Sequence, residues 1–193
     1  MRRIAEWITA IGCIVVVLSL GLLLLMTARA DQARRNNEQV VTTMLSLLPE
    51  RTAHTKDPLW DATMPSLELE GEDYIALLEI PSYSLELPVG ARWDHMQIRS
   101  HPCRFWGSAY NGSLIIGGAD QAGQFDFFDQ IHEGTRLILT DMAGRTFTYT
   151  VERVERSDTA DAEVLMKDSA DLTLFVRDAR LLQYIILRCT HGA

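Results

Sequence analysis

At 193 residues, with 47% hydrophobic and 23% charged side chains, the chain has room for one globular domain and an N-terminal segment. Its net charge of −8 is unevenly divided: residues 1–35 carry five arginines against Glu6 and Asp31, net +3, which leaves −11 on the remainder. So acidic a globular part excludes a nucleic-acid partner, which needs a basic phosphate-binding face.

The first element is Ile8 to Met26, 19 residues without a charge. Eighteen or more such residues can span a bilayer, which predicts a single N-terminal transmembrane helix. Ala28-Arg29-Ala30 also fits the small-x-small pattern of a signal-peptide cleavage site, although the apolar stretch exceeds the ~7 to 15 residues of a signal core. Residues 1–30 are therefore a membrane anchor or an uncleaved signal. Charge leaves its orientation open, since Arg2 and Arg3 precede the span and Arg29, Arg34 and Arg35 follow it.

Residues 31–72 read as a helical stalk and linker. Val40, Val41, Met44, Leu47 and Leu48 mark one face of a helix that Pro49 terminates. From Glu50 to Asp73 there is no sustained period, and Pro58 and Pro65 interrupt the chain, as in a linker. The domain proper, residues 73–193, is read as strands. Leu137 and Leu139, then Phe147, Tyr149 and Val151, alternate on either side of a turn closed by Gly144, which predicts a hairpin. Asp158 or Thr159 caps a short helix carrying Val164 and Leu165, and a strand follows at Leu172. No long helices alternate with the strands. The fold class is therefore mainly β, a closed or partly closed barrel with short helices.

Cys13 lies within the apolar run, which leaves Cys103 and Cys189 as the cysteines of the domain. In an exported domain two cysteines can form a disulfide. A displaced reactive thiol is the other reading, since His101 lies two positions from Cys103 and residues at i and i+2 of a strand share a face. His54, His95, His101, His132 and His191 show no metal-ligand spacing, and neither a metal nor a cofactor is expected. Gly117 to Gly123 is glycine-rich but lacks the lysine of a phosphate loop, and reads as a flexible turn. Trp106, Tyr110, Phe125, Phe127 and Phe128 either line a peptide groove or belong to the core.

Asp171 to Asp178, DLTLFVRD, is followed by YIILRC, which places Arg188 eleven positions after Arg177. This pair of strands resembles the closing part of a sortase, one of the cysteine transpeptidases of Gram-positive cell surfaces. There a strand ends in T-L-x-T-C, and the next carries an arginine close to its end. Thr173, Leu174 and Phe175 fit that frame, Val176 stands at the second threonine, and Arg177 stands at the cysteine. SLIIGGAD (Ser113 to Asp120) is similar to the strand leading to the family's histidine, with Gly118 at the histidine position. Tyr74 to Val89 resembles the opening strands, and His101 to Gly118 the p-C-R-y-x-G-S segment of class B-like clostridial sortases. Phe125 to Val154 is similar to the central hairpin run, with Thr135 where an aspartate is usual.

The resemblance, from Tyr74 to Cys189, implies a sortase-type closed barrel with its N-terminus inside the cell. The domain would lie outside, on a single-pass cell-membrane anchor. It also implies a groove for sorting signals in which Thr173, Phe175 and Arg188 are the substrate-binding positions. A sortase attacks an amide with a thiolate and protonates the leaving amine with a histidine. Arg177 offers no nucleophilic electron pair and Gly118 no side chain. Of the three reacting positions only Arg188 is retained, either as an oxyanion stabiliser or as the partner of a nearby carboxylate. The leading expectation is a catalytically degenerate sortase that binds sorting-signal peptides or a partner sortase. The alternatives are an active transpeptidase with Cys103 or Cys189 as displaced nucleophile, and a non-catalytic assembly subunit.

Overall fold

The computed structural model describes residues 2–53, 63–167 and 170–192. It opens with α1 (Arg2–Leu47), one uninterrupted helix. The last helical hydrogen bond runs from Leu48 N to Met44 O, 2.8 Å, one residue before Pro49, which can neither donate nor tolerate a helical predecessor. The expected apolar face is where the helix docks: Val40, Val41 and Met44 are buried, Val40 and Met44 against Tyr74, while Leu47 is exposed. Asn37 adds a directional contact, its Nδ2 donating to Ser100 O at 2.9 Å. The apolar run Ile8–Met26 lies within α1, but the side chains of residues 2–13 and 26–31 fall outside those described. From Ile14 to Leu25 every position is exposed. Among the described residues no helix is long and apolar enough to cross a membrane.

The segment read as a linker contains two short strands. β1 (Thr52–Ala53) and β2 (Leu67–Leu69) flank residues 54–62, which, with His54 and Pro58, lie outside the described set. β2 turns directly into β3 (Glu72–Ile80) through Glu70 and Gly71, both at positive φ (55° and 84°), the two-residue geometry whose twist matches a hairpin. The remaining strands are β4 (Leu85–Gly90), β5 (Cys103–Trp106), β6 (Leu114–Ala119), β7 (Arg136–Asp141), β8 (Arg145–Ser157), β9 (Leu172–Arg177) and β10 (Tyr184–His191).

Pairing runs β3-β4-β5-β6-β9-β10-β8-β7 and returns from β7 to β3, so eight strands close into a barrel. The β4–β5 and β6–β9 neighbours are parallel and the others in the ring antiparallel. β1 adds to β8, and β2 to the same edge of β3 that pairs with β7 further along. The expected β7–β8 hairpin is present: Asp141 Oδ1 accepts from Ala143 N and Arg145 N, each at 2.8 Å, and Gly144 takes φ +79°.

Period-two alternation sorts the closing strands. Leu172, Leu174 and Val176 of β9, with Ile185, Leu187 and Cys189 of β10, belong to the main core. The intervening residues face outward, where Phe175 and Ile186 build a second, smaller cluster with Ile115 and Leu165. Leu165 comes from the short helix α2 (Ala162–Leu165), which lies on that outer face. Its cap is Asp161, whose Oδ1 accepts from Val164 N at 2.9 Å, and neither Asp158 nor Thr159. Thr159 N instead turns back to Ser157 Oγ at 3.2 Å, so the chain is still leaving β8 there.

Candidate functional site

Parallel pairing of β6 with β9 sets Gly118 beside Val176 and Ala119 beside Arg177, and antiparallel pairing of β9 with β10 sets Arg177 beside Tyr184. Where these strands end, an open groove of about 650 Å³ crosses the outer face. Its floor is aromatic. Trp93 stacks on Phe175 with centroids 5.6 Å apart and planes at 25°, and Phe105 meets both edge-on at 5.3 and 5.6 Å. Tyr184, His95, Arg99, Asp120 and Arg177 stand around this floor.

One wall is the segment from Trp93 to His101, which local hydrogen bonds hold in place. Asp94 Oδ1 accepts from Met96 N at 2.6 Å and Gln97 N at 3.1 Å, and those two bonds hold its carboxyl below the usual range. The turn after β6 fastens the other side. Buried Gln124 accepts from Ala119 N and donates to Ile98 O at 3.2 Å, and Gln121 donates to Arg99 O.

Of the three expected substrate-binding positions, only Phe175 lines the groove. Arg188 pairs in register with Thr173, four residues from Arg177, roughly 13 Å along the strand at 3.3 Å per residue. Its side chain is 2% exposed and fully engaged. Nε donates to Glu155 Oε2 at 3.2 Å, Nη1 to Leu165 O at 2.6 Å and to Thr173 Oγ1 at 3.3 Å, and Nη2 to Val164 O at 2.5 Å. Those two carbonyls belong to the end of α2, where a cation is favoured. Of the two sequence-based readings of Arg188, this geometry is that of the carboxylate partner. Thr173, 2% exposed, serves the same cluster.

Gly118 reaches the groove only with its backbone. An added Cβ would lie 2.1 Å from Phe125 Cδ2, so the side-chain direction points into the packed Phe125 ring. Arg177 projects from the end of β9, exposed.

The cysteines correct two expectations at once. Cys103 and Cys189 are free, so no disulfide joins them, and both are 0% exposed, which closes them to substrate. Burial pushes each thiol up to about 12, so neither supplies a thiolate near neutral pH. Cys103 Sγ lies 3.6 Å from the carbonyl oxygen of His101. The His101 ring is itself buried, with Nδ1 3.6 Å from Glu72 Oε2, and burial lowers its basicity. We expect a small maleimide to leave both domain cysteines unlabelled in the folded chain and to label both after unfolding in urea. Labelling of either in the native state at the rate of a free thiol would contradict this burial.

The suggested groove aromatics are elsewhere. Phe125 and Phe128 are core residues, Tyr110 is buried with its hydroxyl donating to Asp141 Oδ2 at 2.6 Å, Phe127 stacks on Tyr83, and Trp106 is exposed outside the groove. His191 closes β10, paired with Tyr149 of β8. Among the described residues lining the groove there is no cysteine, serine or threonine. The groove can therefore bind through aromatic surface and guanidinium groups, and its described lining holds no thiol or aliphatic hydroxyl to attack an amide.

A small closed barrel of mixed strands, with a groove across the ends of β6 and β9, defines an architecture also found among proteins of known family. The model of the sortase domain matches residues 78–176, just over half of the chain, and the chain belongs to the sortase family. Among solved structures it is similar to sortase A from Corynebacterium diphtheriae, at 18% identity and TM-score 0.54, covering 85% of this chain and 84% of that one. It is also similar to the sortase D5 transpeptidase of Clostridium perfringens, at 18% identity and TM-score 0.54, covering 63% and 80%. A third, sortase C-1 of Actinomyces oris, matches at 17% identity and TM-score 0.53, covering 61% and 73%. At such identities the likeness speaks for the fold. No curated protein matches the chain.

Proposed function

We propose that this chain is a degenerate sortase, a membrane-anchored protein of the Gram-positive cell surface that binds sorting-signal peptides or a partner sortase without transpeptidase chemistry. The observation that carries this reading is the composition of the groove. A guanidinium stands at the end of β9 and a glycine near the end of β6, and among the described residues none lining the groove has a thiol or an aliphatic hydroxyl. Arginine stays protonated at physiological pH and cannot attack a carbonyl. The displaced-nucleophile reading loses support because both thiols of the domain are sealed in the core. The resemblance of His101 to Gly118 supports a place near the class B-like clostridial sortases.

The anchoring rests on Ile8 to Met26, long enough to span a bilayer, together with the exposure of every position from Ile14 to Leu25. Such a sleeve of leucine, isoleucine and valine in water would be an apolar patch far beyond what soluble surfaces carry. On this reading the N-terminus is inside the cell and the barrel outside.

The test uses the full chain in detergent micelles, incubated with labelled sorting-motif peptides and an amine acceptor. The expected outcome is saturable peptide binding without hydrolysis or transfer. Turnover that disappears in Cys103→Ala or Cys189→Ala would establish a relocated nucleophile and overturn the proposal. Neither turnover nor binding would assign the barrel to assembly with another protein.

A further inference from the structure

We infer that the groove is a carboxylate receptor, in which Arg99 and Arg177 together hold an acidic group of a bound peptide whose apolar side chain lies on the Trp93, Phe105 and Phe175 floor. This rests on the peptide-binding reading above and specifies which peptides the site takes.

Charge pairing elsewhere in the chain makes the two arginines unusual. From Asn36 onward acidic residues outnumber basic ones 24 to 13, and seven arginines of that part each form an ion pair with a carboxylate. Arg104 is engaged as well, its Nε donating to Ala91 O at 2.9 Å. Among the described residues Arg99 and Arg177 have no hydrogen-bonded or ionic partner for their side chains, and both line the groove. Arg136, on β7 and outside the groove, is the other arginine in that state.

Among the described residues lining the groove the one carboxylate is Asp120, whose Oδ2 accepts from Ala179 N at 2.9 Å and so ties it to the β9–β10 loop, while Asp94 in the Trp93–His101 wall is held by the amides of Met96 and Gln97. Neither carboxylate pairs with Arg99 or Arg177, which leaves two exposed guanidiniums with free donors on a strongly negative domain. The net negative charge of the domain disfavours acidic ligands away from such donors. A guanidinium binds a carboxylate through two parallel N–H donors, and it does so more strongly beside a surface that excludes water. The stacked and edge-on rings provide that surface and a face for an apolar neighbour of the acidic group. Arg177 at the end of β9 and Arg99 at the end of the turn Gln97–Arg99 approach the floor from different elements, so a carboxylate between them fixes the direction of a bound chain.

A phage-displayed library of random heptapeptides, selected on the immobilised full chain in detergent micelles and read by sequencing, tests this. Recovered peptides should be enriched at least tenfold in Asp or Glu beside an aromatic or branched residue. A matched Glu peptide should bind at least tenfold more tightly than its Gln counterpart, and the preference should shrink below threefold in Arg99→Gln/Arg177→Gln. Because both side chains are exposed and unpartnered, the double variant should unfold at the same temperature as the wild type. Enrichment of neutral peptides, or a preference that survives the double substitution, would overturn the carboxylate assignment and leave peptide binding intact. No enrichment over bare matrix would remove both.

Discussion

Replacing Arg188 by methionine should lower the stability of the barrel by about 3 kcal/mol, read as a fall in the urea midpoint at unchanged slope. Methionine nearly conserves the apolar stem, so the loss isolates the guanidinium. Four acceptors lose their donor: Glu155 Oε2, Leu165 O, Thr173 Oγ1 and Val164 O. Glu155 is partly exposed and regains water cheaply, so its share is small. The Leu165 carbonyl belongs to a buried residue, and leaving such an acceptor unsatisfied costs about 1–3 kcal/mol. Arg188→Lys should recover only part, because one ammonium cannot satisfy acceptors arranged for a planar fork. Hydrogen exchange at Leu165 and Met166 should quicken first, since their amides close α2 onto Asp161 and Ala162. A loss under 1 kcal/mol in Arg188→Met would show that the cluster is dispensable and reopen the arginine for a role at the groove.

Gly118→His combined with Arg177→Cys should not yield a transpeptidase, and Gly118→Ala alone should cost about 1–3 kcal/mol through overpacking. The built Cβ falls 2.1 and 2.2 Å from two ring carbons of Phe125 and 2.8 Å from Gln124 Oε1. Phe125 cannot swing aside freely, since it is 0% exposed and packs on Phe128 with centroids 4.4 Å apart. Displacing Gln124 also releases Ala119 N and Ile98 O, which join the two walls of the groove. An imidazole at 118 would therefore be bought with the shape of the site it was meant to serve. Turnover in the double variant, or an alanine variant as stable as the wild type, would show that the strand adjusts more readily than this packing implies.

The barrel was legible because its strands carry their own signals: the alternation of Leu172, Leu174 and Val176, the turn at Gly144, and the ordered segments of the family pattern. The site was less legible, for reasons that lie in register. Spacing along the chain suggested that Arg188 accompanies position 177, yet the six-residue connection from Asp178 to Gln183 pairs Arg177 with Tyr184 and so carries Arg188 down to Thr173. Loop length decides that pairing, and Asp178 fixes the loop by accepting from Arg180 N and Leu181 N. An irregularity between Arg104 and Trp106 shifts the register of β5. Strict alternation therefore favours the wrong aromatic, and Phe105 reaches the floor while Trp106 faces solvent. Trp93 and Arg99 lie in a connection without period and could be placed only by seeing which walls meet. The hairpin at Glu70-Gly71 had a readable signal, Leu67 and Leu69 alternating ahead of a glycine, that the prolines nearby concealed.

The unbroken course of α1 bears on how the groove would meet the peptides proposed for it. Asn37 lies eleven positions after Met26, about 17 Å of helix at 1.5 Å per residue. On the proposed anchoring this is a strut of fixed length, clamped to the barrel through Val40 and Met44. A flexible tether would let the domain sweep a volume that widens with the number of residues, whereas a strut holds the groove at one height above the lipid and leaves mainly rotation about the bilayer normal. Ligands carried by chains still seated in the same bilayer would then be found by lateral drift, a search in two dimensions, and a peptide displayed much higher would pass out of reach however well it fits.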